Sequence, residues 1–125
     1  MSGVNKFKAS TEMRAILIES PEVKSLIGDQ VFPIVAPEGT KGDFIVYHRD
    51  EYAQKFSKMG LAADSCKILL FAVSEDYKRS QDIAAVAKIA LEGRYSSPEM
   101  EIWMEDSTEI FEDGKFKQVL LFDIK

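Results

Sequence analysis

A run of apolar residues in the middle of the chain constrains the fold most strongly. The segment Cys66–Val73 is almost continuously apolar from Ile68 onward, which is typical of a strand that is buried on both faces. The residues that follow it, Ser74, Glu75 and Asp76, supply an N-cap and negative charge for the start of a helix. An interior strand followed at once by a helix predicts a domain in which a sheet and helices share one core.

The other elements follow from apolar periodicity and turn residues. We expect helices over 10–19, over 21–27 with an end at Gly28, and over 74–93 with an apolar stripe. We expect strands over 30–35, 44–50, 66–73, 100–110 and 116–124, the last two joined by a tight turn at Asp113-Gly114. Residues 51–64 are expected to form a long hairpin connection with flanks that could extend its strands. The stripe residues are Ile83, Val86, Ala87, Ala90 and Leu91.

This order of elements, α-α-β-β-β-α-β-β, predicts an α+β fold with an antiparallel β-sheet and the helices packed on one face. The prolines Pro33 and Pro37 predict that the first strand lies at a sheet edge or carries a bulge, because proline cannot donate to a strand ladder. We expect a flexible N-terminal arm over residues 1–9 and a single domain over residues 10–125, since 125 residues suit one domain.

Composition excludes several classes of function. The net charge of −5 argues against a general nucleic-acid binder and against a polybasic membrane-surface module. No apolar run approaches the roughly 20 residues that span a bilayer. The single cysteine, Cys66, excludes an intrachain disulfide and favours an intracellular setting.

Catalytic and cofactor motifs are scarce in this sequence. The segment 39–42 lacks the spacing of a phosphate-binding loop, and one histidine and one cysteine make no metal-ligand pair. His48 and Cys66 could form a nucleophile–base pair on neighbouring strands. The more ordinary interpretation is a strand histidine beside an inert, buried cysteine. We therefore expect no catalytic residue, no metal and no cofactor.

A crowded acidic stretch lies between Arg94 and Lys115, with no basic residue inside it. A metal-dependent nuclease or phosphatase could use such carboxylates to hold magnesium. Alternation with apolar residues instead favours a solvated sheet face. A third interpretation is an acidic surface that repels a DNA duplex passing beside it. The candidate residues for this face are Glu99, Glu101, Glu105 and Glu109.

Large apolar residues in the 51–64 connection are the other candidate site. Tyr52, Phe56, Met59 and Leu61 stand among polar residues, next to Lys55 and Lys58. They could form a small cluster tucked onto the core. They could equally be a contact surface for another subunit or partner, because aromatic residues and methionine are enriched at interfaces.

Several segments resemble a family of small tailed-phage proteins, the tail-completion or tail-terminator proteins of the head–tail junction. Members run from a helix into a turn of the form VG-D-x-(I/V)-(Y/F)-P, then A-P, then a strand (Y/F)-(I/V)-V-Y. The corresponding residues here are Ile27–Pro33, Ala36-Pro37 and Phe44–Tyr47. The later helix resembles the family's pattern through Ala90-Leu91-Glu92-Gly93, in a slightly shifted register. The 51–64 connection departs from the family's usual composition.

The resemblance implies a structural protein without enzymatic activity. Members form a ring, commonly of six subunits, at the head-proximal end of the phage tail, where the ring stops growth of the tail tube and offers a docking surface for the head connector. The expected partners are thus a second copy of the chain, the tail-tube protein and the head–tail connector protein. DNA would pass without specific binding and no membrane would be involved. The expected location is the virion, and the host cytoplasm during assembly. The alternatives are a head-closure or minor tail component of similar fold, or a small enzyme that uses Cys66 and His48 or the carboxylates.

Overall fold

Three helices cover one face of a six-stranded sheet. The computed structural model describes residues 6–125, apart from the side chains of residues 61–63. A 3-10 turn, Lys6–Lys8, precedes the helices α1 (Ala9–Glu19), α2 (Pro21–Ile27) and α3 (Tyr77–Leu91). The strands are β1 (Val31–Pro33), β2 (Phe44–Ser57), β3 (Gly60–Ser74), β4 (Gly93–Ser96), β5 (Glu99–Glu112) and β6 (Lys115–Ile124). The predicted α+β fold with helices on one face is confirmed.

The sheet has the strand order β1-β2-β3-β6-β5-β4. Its neighbours are antiparallel except β1 and β2, which run parallel with Val31 opposite Ile45. The long connection over residues 34–43 carries the chain back to the starting end of β1, so no hairpin forms there. Pro33 lies in an edge strand, as expected. An edge strand has a neighbour on one side only, so a proline there can lack its N–H group without breaking a hydrogen bond of the ladder.

The short strand β4 was not expected from the sequence. The predicted stop at Gly93 marks the right place, but α3 ends at Leu91, and Gly93, with a φ of 147°, begins β4. The Tyr95 hydroxyl then donates to the carbonyl oxygen of Leu91 at 2.6 Å and ties β4 back to the helix end. A four-residue strand has too few positions for alternation to be recognised.

The core lies between the sheet and the three helices. On α3, Ile83, Ala87 and Leu91 are fully buried, which confirms the predicted apolar stripe. The largest fully buried side chains elsewhere come from α1 and α2 and from the helix-facing side of the sheet. They are Met13, Leu17, Val23, Val31, Ile45, Ile68, Leu70, Ile102, Phe122 and Ile124.

The central strand β3 is buried more completely on one face than on the other. Ile68 and Leu70 are fully buried beneath the helices. On the opposite face Val73 is 2% exposed, whereas Leu69 and Phe71 are only partly buried. The expectation that this strand is buried on both faces is therefore met at Val73 and not at Leu69 and Phe71.

The starts of α2 and α3 are capped by side chains. In α2, the Ser20 hydroxyl accepts a hydrogen bond from the Val23 N–H group at 3.3 Å, as expected. In α3 the cap is Asp76, whose carboxylate accepts from the Arg79 N–H group at 3.1 Å. The expected cap, Ser74, instead accepts from the Asp76 N–H group at 3.0 Å, which fixes the turn that enters the helix. The caps at Ser20 and Asp76 each satisfy an N–H group of the first helical turn that has no partner inside the helix.

Two isoleucines of α3 provide a direct test of this packing. Replacing the fully buried Ile83 by alanine should lower the free energy of unfolding by about 2–5 kcal/mol, since it removes buried methyl groups and leaves a cavity. Ile89 lies on the same helix but is 78% exposed, so Ile89→Ala should change the free energy of unfolding by less than about 0.5 kcal/mol. Denaturant titration of both variants measures the difference. Equal losses would contradict the assignment of the core face.

Candidate interaction surfaces

A long two-stranded hairpin extends beyond the sheet. Strands β2 and β3 contain 14 and 15 residues, but β3 pairs with β6 only from Cys66 onward. In the described chain, residues 53–65 pair across the hairpin with each other alone, from Ala53 opposite Ser65 to Ser57 opposite Gly60. We call these residues the β-arm. The connection expected over residues 51–64 is thus largely strand, and its flanks extend both neighbouring strands.

The base of the β-arm is held against the body of the protein. Tyr52 packs against the core, and its hydroxyl donates to Asp64 at 3.4 Å. Lys6 forms an ion pair with Asp64, and the ring of Phe7 meets the ring of Tyr52 edge-on at 5.0 Å. Of the expected N-terminal arm, residues 1–5 lie outside the described residues, whereas residues 6–8 make these contacts and Ala9 begins α1.

The tip of the β-arm is the most exposed apolar part of the described surface. Phe56 is 70% exposed and Met59 is 95% exposed. The candidate contact residues are therefore divided: Tyr52 belongs to the cluster on the core, while Phe56 and Met59 project into solvent. The side chain of Leu61 lies outside the described part of the structure. Exposed aromatic and methionine side chains on a protruding element are typical of a contact surface.

An apolar groove opens on the uncovered face of the sheet, at the opposite end of β2 and β3. Its volume is about 490 Å³. Phe44 and Val46 of β2 and Phe71 and Val73 of β3 form the floor, and His48 stacks on Phe71 with ring centroids 5.7 Å apart. One rim consists of Ile34, Val35 and Ala36, and the other of Glu112, Asp113, Lys115 and Lys117. The sequence analysis did not identify this groove, because its rims are brought together only by the sheet.

The charged rim of the groove is partly neutralised within the chain. Lys117 pairs with Glu112 at 2.9 Å, and the Lys115 ammonium group lies 5.1 Å from the centroid of the Phe44 ring. The hydrogen bond from Lys117 lowers the pKa of the Glu112 carboxyl group. Asp113, in the β5–β6 turn, has no ion-pair partner among the described residues. Lys115 has no ion-pair partner there either, so the two acidic and two basic side chains of this rim leave it without net charge.

The other rim contains a strained residue. Ile34 has a φ of 69°, and the Val35 N–H group donates to the Pro33 carbonyl oxygen at 2.7 Å, which closes a three-residue turn around it. A positive φ at the centre of such a turn is rare and strained, and for a β-branched residue it is an outlier. The Ile34 side chain is nevertheless 70% exposed. The strained backbone thus holds an isoleucine whose side chain is mostly exposed.

The acidic residues of β5 are divided between the two faces of the sheet. The alternation expected near the start of β5 is confirmed: Met100 and Ile102 are buried, while Glu99 and Trp103 are exposed on the uncovered face. Glu101 lies on this face too, where hydrogen bonds from Trp103 and Arg94 lower the pKa of its carboxyl group. Beside them, Glu105 pairs with Lys67 of β3 at 2.8 Å.

A bulge between Met104 and Asp106 reverses the alternation farther along β5. Glu109 consequently lies on the helix side, opposite Gln118, and accepts hydrogen bonds from the Tyr77 hydroxyl at 3.0 Å and from the Gln118 amide at 2.9 Å. The structure brings three of the four candidate acidic residues onto one face and separates Glu109 from them. A bulge of this kind gives no pattern in the sequence, since it shifts the register by a single residue.

The arrangement of Cys66 and His48 argues against a nucleophile–base pair. Cys66 is fully buried on the helix side of β3, whereas His48 stands opposite Leu69 on the uncovered face. Burial also raises the pKa of the Cys66 thiol, which disfavours the reactive thiolate. Among the described residues, no three carboxylate, histidine or cysteine side chains come close enough to hold a metal ion. In the part of the chain that the structure describes, none of the helices has the length and apolar character needed to cross a bilayer.

Comparison with known proteins identifies a fold relative. No family model and no curated protein sequence matches this chain. Among solved structures, the chain is similar to a chain of the "Virion of native gene transfer agent (GTA) particle", with a TM-score of 0.73 and 15% sequence identity. The similarity covers 90% of this chain and 89% of the other. At this level of identity the two chains share a fold over nearly their whole lengths.

The strain at Ile34 predicts a gain in stability on substitution. Ile34→Gly should raise the free energy of unfolding by up to about 1 kcal/mol, because relief of the left-handed conformation outweighs the added freedom of the unfolded chain. Val35 is equally exposed, at 70%, and Val35→Gly is the matched control, with an expected loss of about 0.5–1 kcal/mol. Thermal unfolding followed by circular dichroism measures both. A less stable Ile34→Gly variant would show that Ile34 is not strained.

Proposed function

We propose that this protein is a structural component of a phage-like virion. The observation that carries the proposal is the shared fold with a chain of a gene transfer agent virion, over 90% of one chain and 89% of the other. The two chains are therefore similar as whole domains rather than through a common fragment. The separation of Cys66 from His48 across the sheet removes the catalytic pair suggested by the sequence, and a non-enzymatic role agrees with this.

Within the virion, we propose that the protein is a tail-completion or terminator component. It would form a ring of its own copies, commonly six, at the head-proximal end of the tail, where it contacts the tail-tube protein and the head–tail connector protein. The segments that resemble the tail-completion family include the end of α2, β1 and the start of β2. These elements surround Ile34 and Val35, so the family-like part of the chain also builds one rim of the groove.

Two exposed features of the fold suit subunit assembly. The β-arm protrudes from one end of the sheet, and the uncovered sheet face carries an apolar groove at the other end. Two different surfaces on one chain favour head-to-tail contacts, which close into a ring when the rotation between neighbours divides a full turn. Burial of these apolar surfaces would supply the driving force for association.

Light scattering on the purified protein over a wide concentration range, with negative-stain electron microscopy of any large species, tests the ring. We expect a closed ring joined by head-to-tail contacts, with about six copies as the resemblance to the tail-completion family implies. Removal of the protein from its particle should then give tails of uncontrolled length. Normal tails that lack heads would instead support a head-closure role, which is the second candidate. A monomer that also fails to bind the ends of tail tubes would contradict the terminator role.

We further propose that the acidic face of β5 borders the passage for DNA. Glu99, Glu101 and Glu105 lie together on the uncovered face, where Glu101 pairs with Arg94 and Glu105 with Lys67. Glu99 has no ion-pair partner among the described residues, and its charge supports a repulsive lining. Like charges keep a duplex from binding the wall without any sequence-specific contact. Glu109 is left out of this proposal because it is hydrogen-bonded on the helix side.

Charge reversal tests the lining. The double variant Glu99→Lys with Glu105→Lys should impair DNA passage and infectivity, since it places cations where the phosphates pass, while the stability of the fold changes by less than about 1 kcal/mol. The control variant Glu19→Lys with Asp29→Lys changes the net charge equally at exposed positions on the helix side. Particle titre and DNA ejection are the readouts. Normal infectivity of the first variant would remove the lining role.

A further inference from the structure

We infer that the groove of one copy receives the tip of the β-arm from a neighbouring copy. This inference rests on the proposed ring and identifies the contact that would build it. The occupant is a second copy of this chain, entering with Phe56 and Met59. Three features of the described residues support the pairing: matched apolar surfaces, opposite charges at the edges of the contact, and placement at opposite ends of the same strands.

The surfaces of the groove and of the β-arm tip are both apolar. The groove floor is formed by aromatic and branched side chains on an uncovered sheet face, with Ile34 and Val35 standing 70% exposed on its rim. The β-arm tip presents one aromatic ring and one flexible methionine on a narrow two-stranded ribbon. Methionine fills irregular apolar spaces and makes favourable contacts with aromatic rings. Of the large apolar side chains described as exposed, Met59 is the most exposed, at 95%.

One pair of opposite charges is available at the edge of the contact. Residues 52–63 contain Lys55 and Lys58 and no acidic residue. Within the part of the chain that the structure describes, neither lysine forms an ion pair. On the groove rim Asp113 is likewise unpaired there, whereas Glu112 pairs with Lys117 and the ammonium group of Lys115 lies 5.1 Å from the centroid of the Phe44 ring. A β-arm tip seated in the groove would bring its lysines towards Asp113. Such rim charges orient a contact more than they strengthen it.

The β-arm tip cannot reach the groove of its own copy. Phe44 marks the groove end of β2 and Ser57 the tip end, and the strand between them spans about 40 Å at about 3.3 Å per residue. The contact must therefore be made between two copies. Each copy then offers one β-arm and one groove, which is the requirement for a head-to-tail series that closes into a ring.

Chemical cross-linking tests the contact directly. We would prepare Met59→Cys with Val35→Cys and treat the protein with a short bismaleimide linker, using Cys66, which is fully buried, as a background of low reactivity. Because the two new thiols cannot meet within one copy, we expect a ladder of covalent multimers on a denaturing gel. The matched control is Ile89→Cys with Val35→Cys, in which the 78% exposed Ile89 replaces the β-arm tip. It should give no ladder beyond random dimers.

A mixing experiment provides the second measurement. One variant, Phe56→Ser with Met59→Ser, keeps its groove and loses its β-arm tip. The other, Ile34→Lys with Val35→Lys, keeps its β-arm tip, but its groove repels Lys55 and Lys58 of an incoming β-arm. We expect each variant alone to be monomeric and an equimolar mixture to form 1:1 dimers, because one functional interface remains per pair. Circular dichroism of the separate variants establishes that each is folded.

The possible outcomes separate this inference from the proposed ring. Wild-type rings without a Met59–Val35 ladder and without dimers in the mixture would overturn the arm-in-groove contact and leave the ring standing. A ladder of open chains that never closes would support the contact and contradict the terminator ring. A wild-type monomer that shows neither a ladder nor dimers, and that also fails to bind the ends of tail tubes, would overturn both.

Discussion

The burial of one face of β3 beneath the helices is the constraint on which the rest of the structure depends. Ile68 and Leu70 are fully buried there, and β3 pairs with β2 on one side and with β6 on the other. The chain passes from β3 into α3 through a two-residue turn, and α3 folds back over the sheet. The three central strands and the helix layer therefore form one apolar core. Burial of this area is the dominant favourable term in folding, and it fixes which face of every other strand is buried.

The same arrangement leaves a second face of the sheet without a covering layer. The partly buried residues Leu69 and Phe71 lie on it, as do the apolar floor of the groove and the acidic start of β5. An antiparallel sheet tolerates one solvated face, but that face is then usually polar. Here it is apolar at one end and acidic at the other. In the proposed ring, the apolar end would make contacts between subunits and the acidic end would repel a passing polyanion.

The candidate site was only partly predictable from the sequence. Phe56 and Met59 could be identified as unusual, because large apolar side chains among polar neighbours have no place in an amphipathic strand. Their separation from Tyr52 could not, since only the fold shows that Tyr52 packs at the base of the β-arm while the other two project. The groove was missed entirely. Its rims come from residues 34–36 and 112–117, and no periodicity links segments so far apart in the chain.

The sequence by itself determined the type and order of the main elements, the helix caps and stops near Ser20 and Gly28, the tight turn at Asp113-Gly114 and the buried stripe of α3. These features are local, because they depend on periodicity, capping and backbone preference within a few residues. Tertiary structure alone decided the parallel pairing of β1, the short strand β4, the bulge that turns Glu109 away and the unequal burial of the two faces of β3. Each of these depends on which distant strand lies alongside, and strand pairing is a contact between segments that a local pattern does not record.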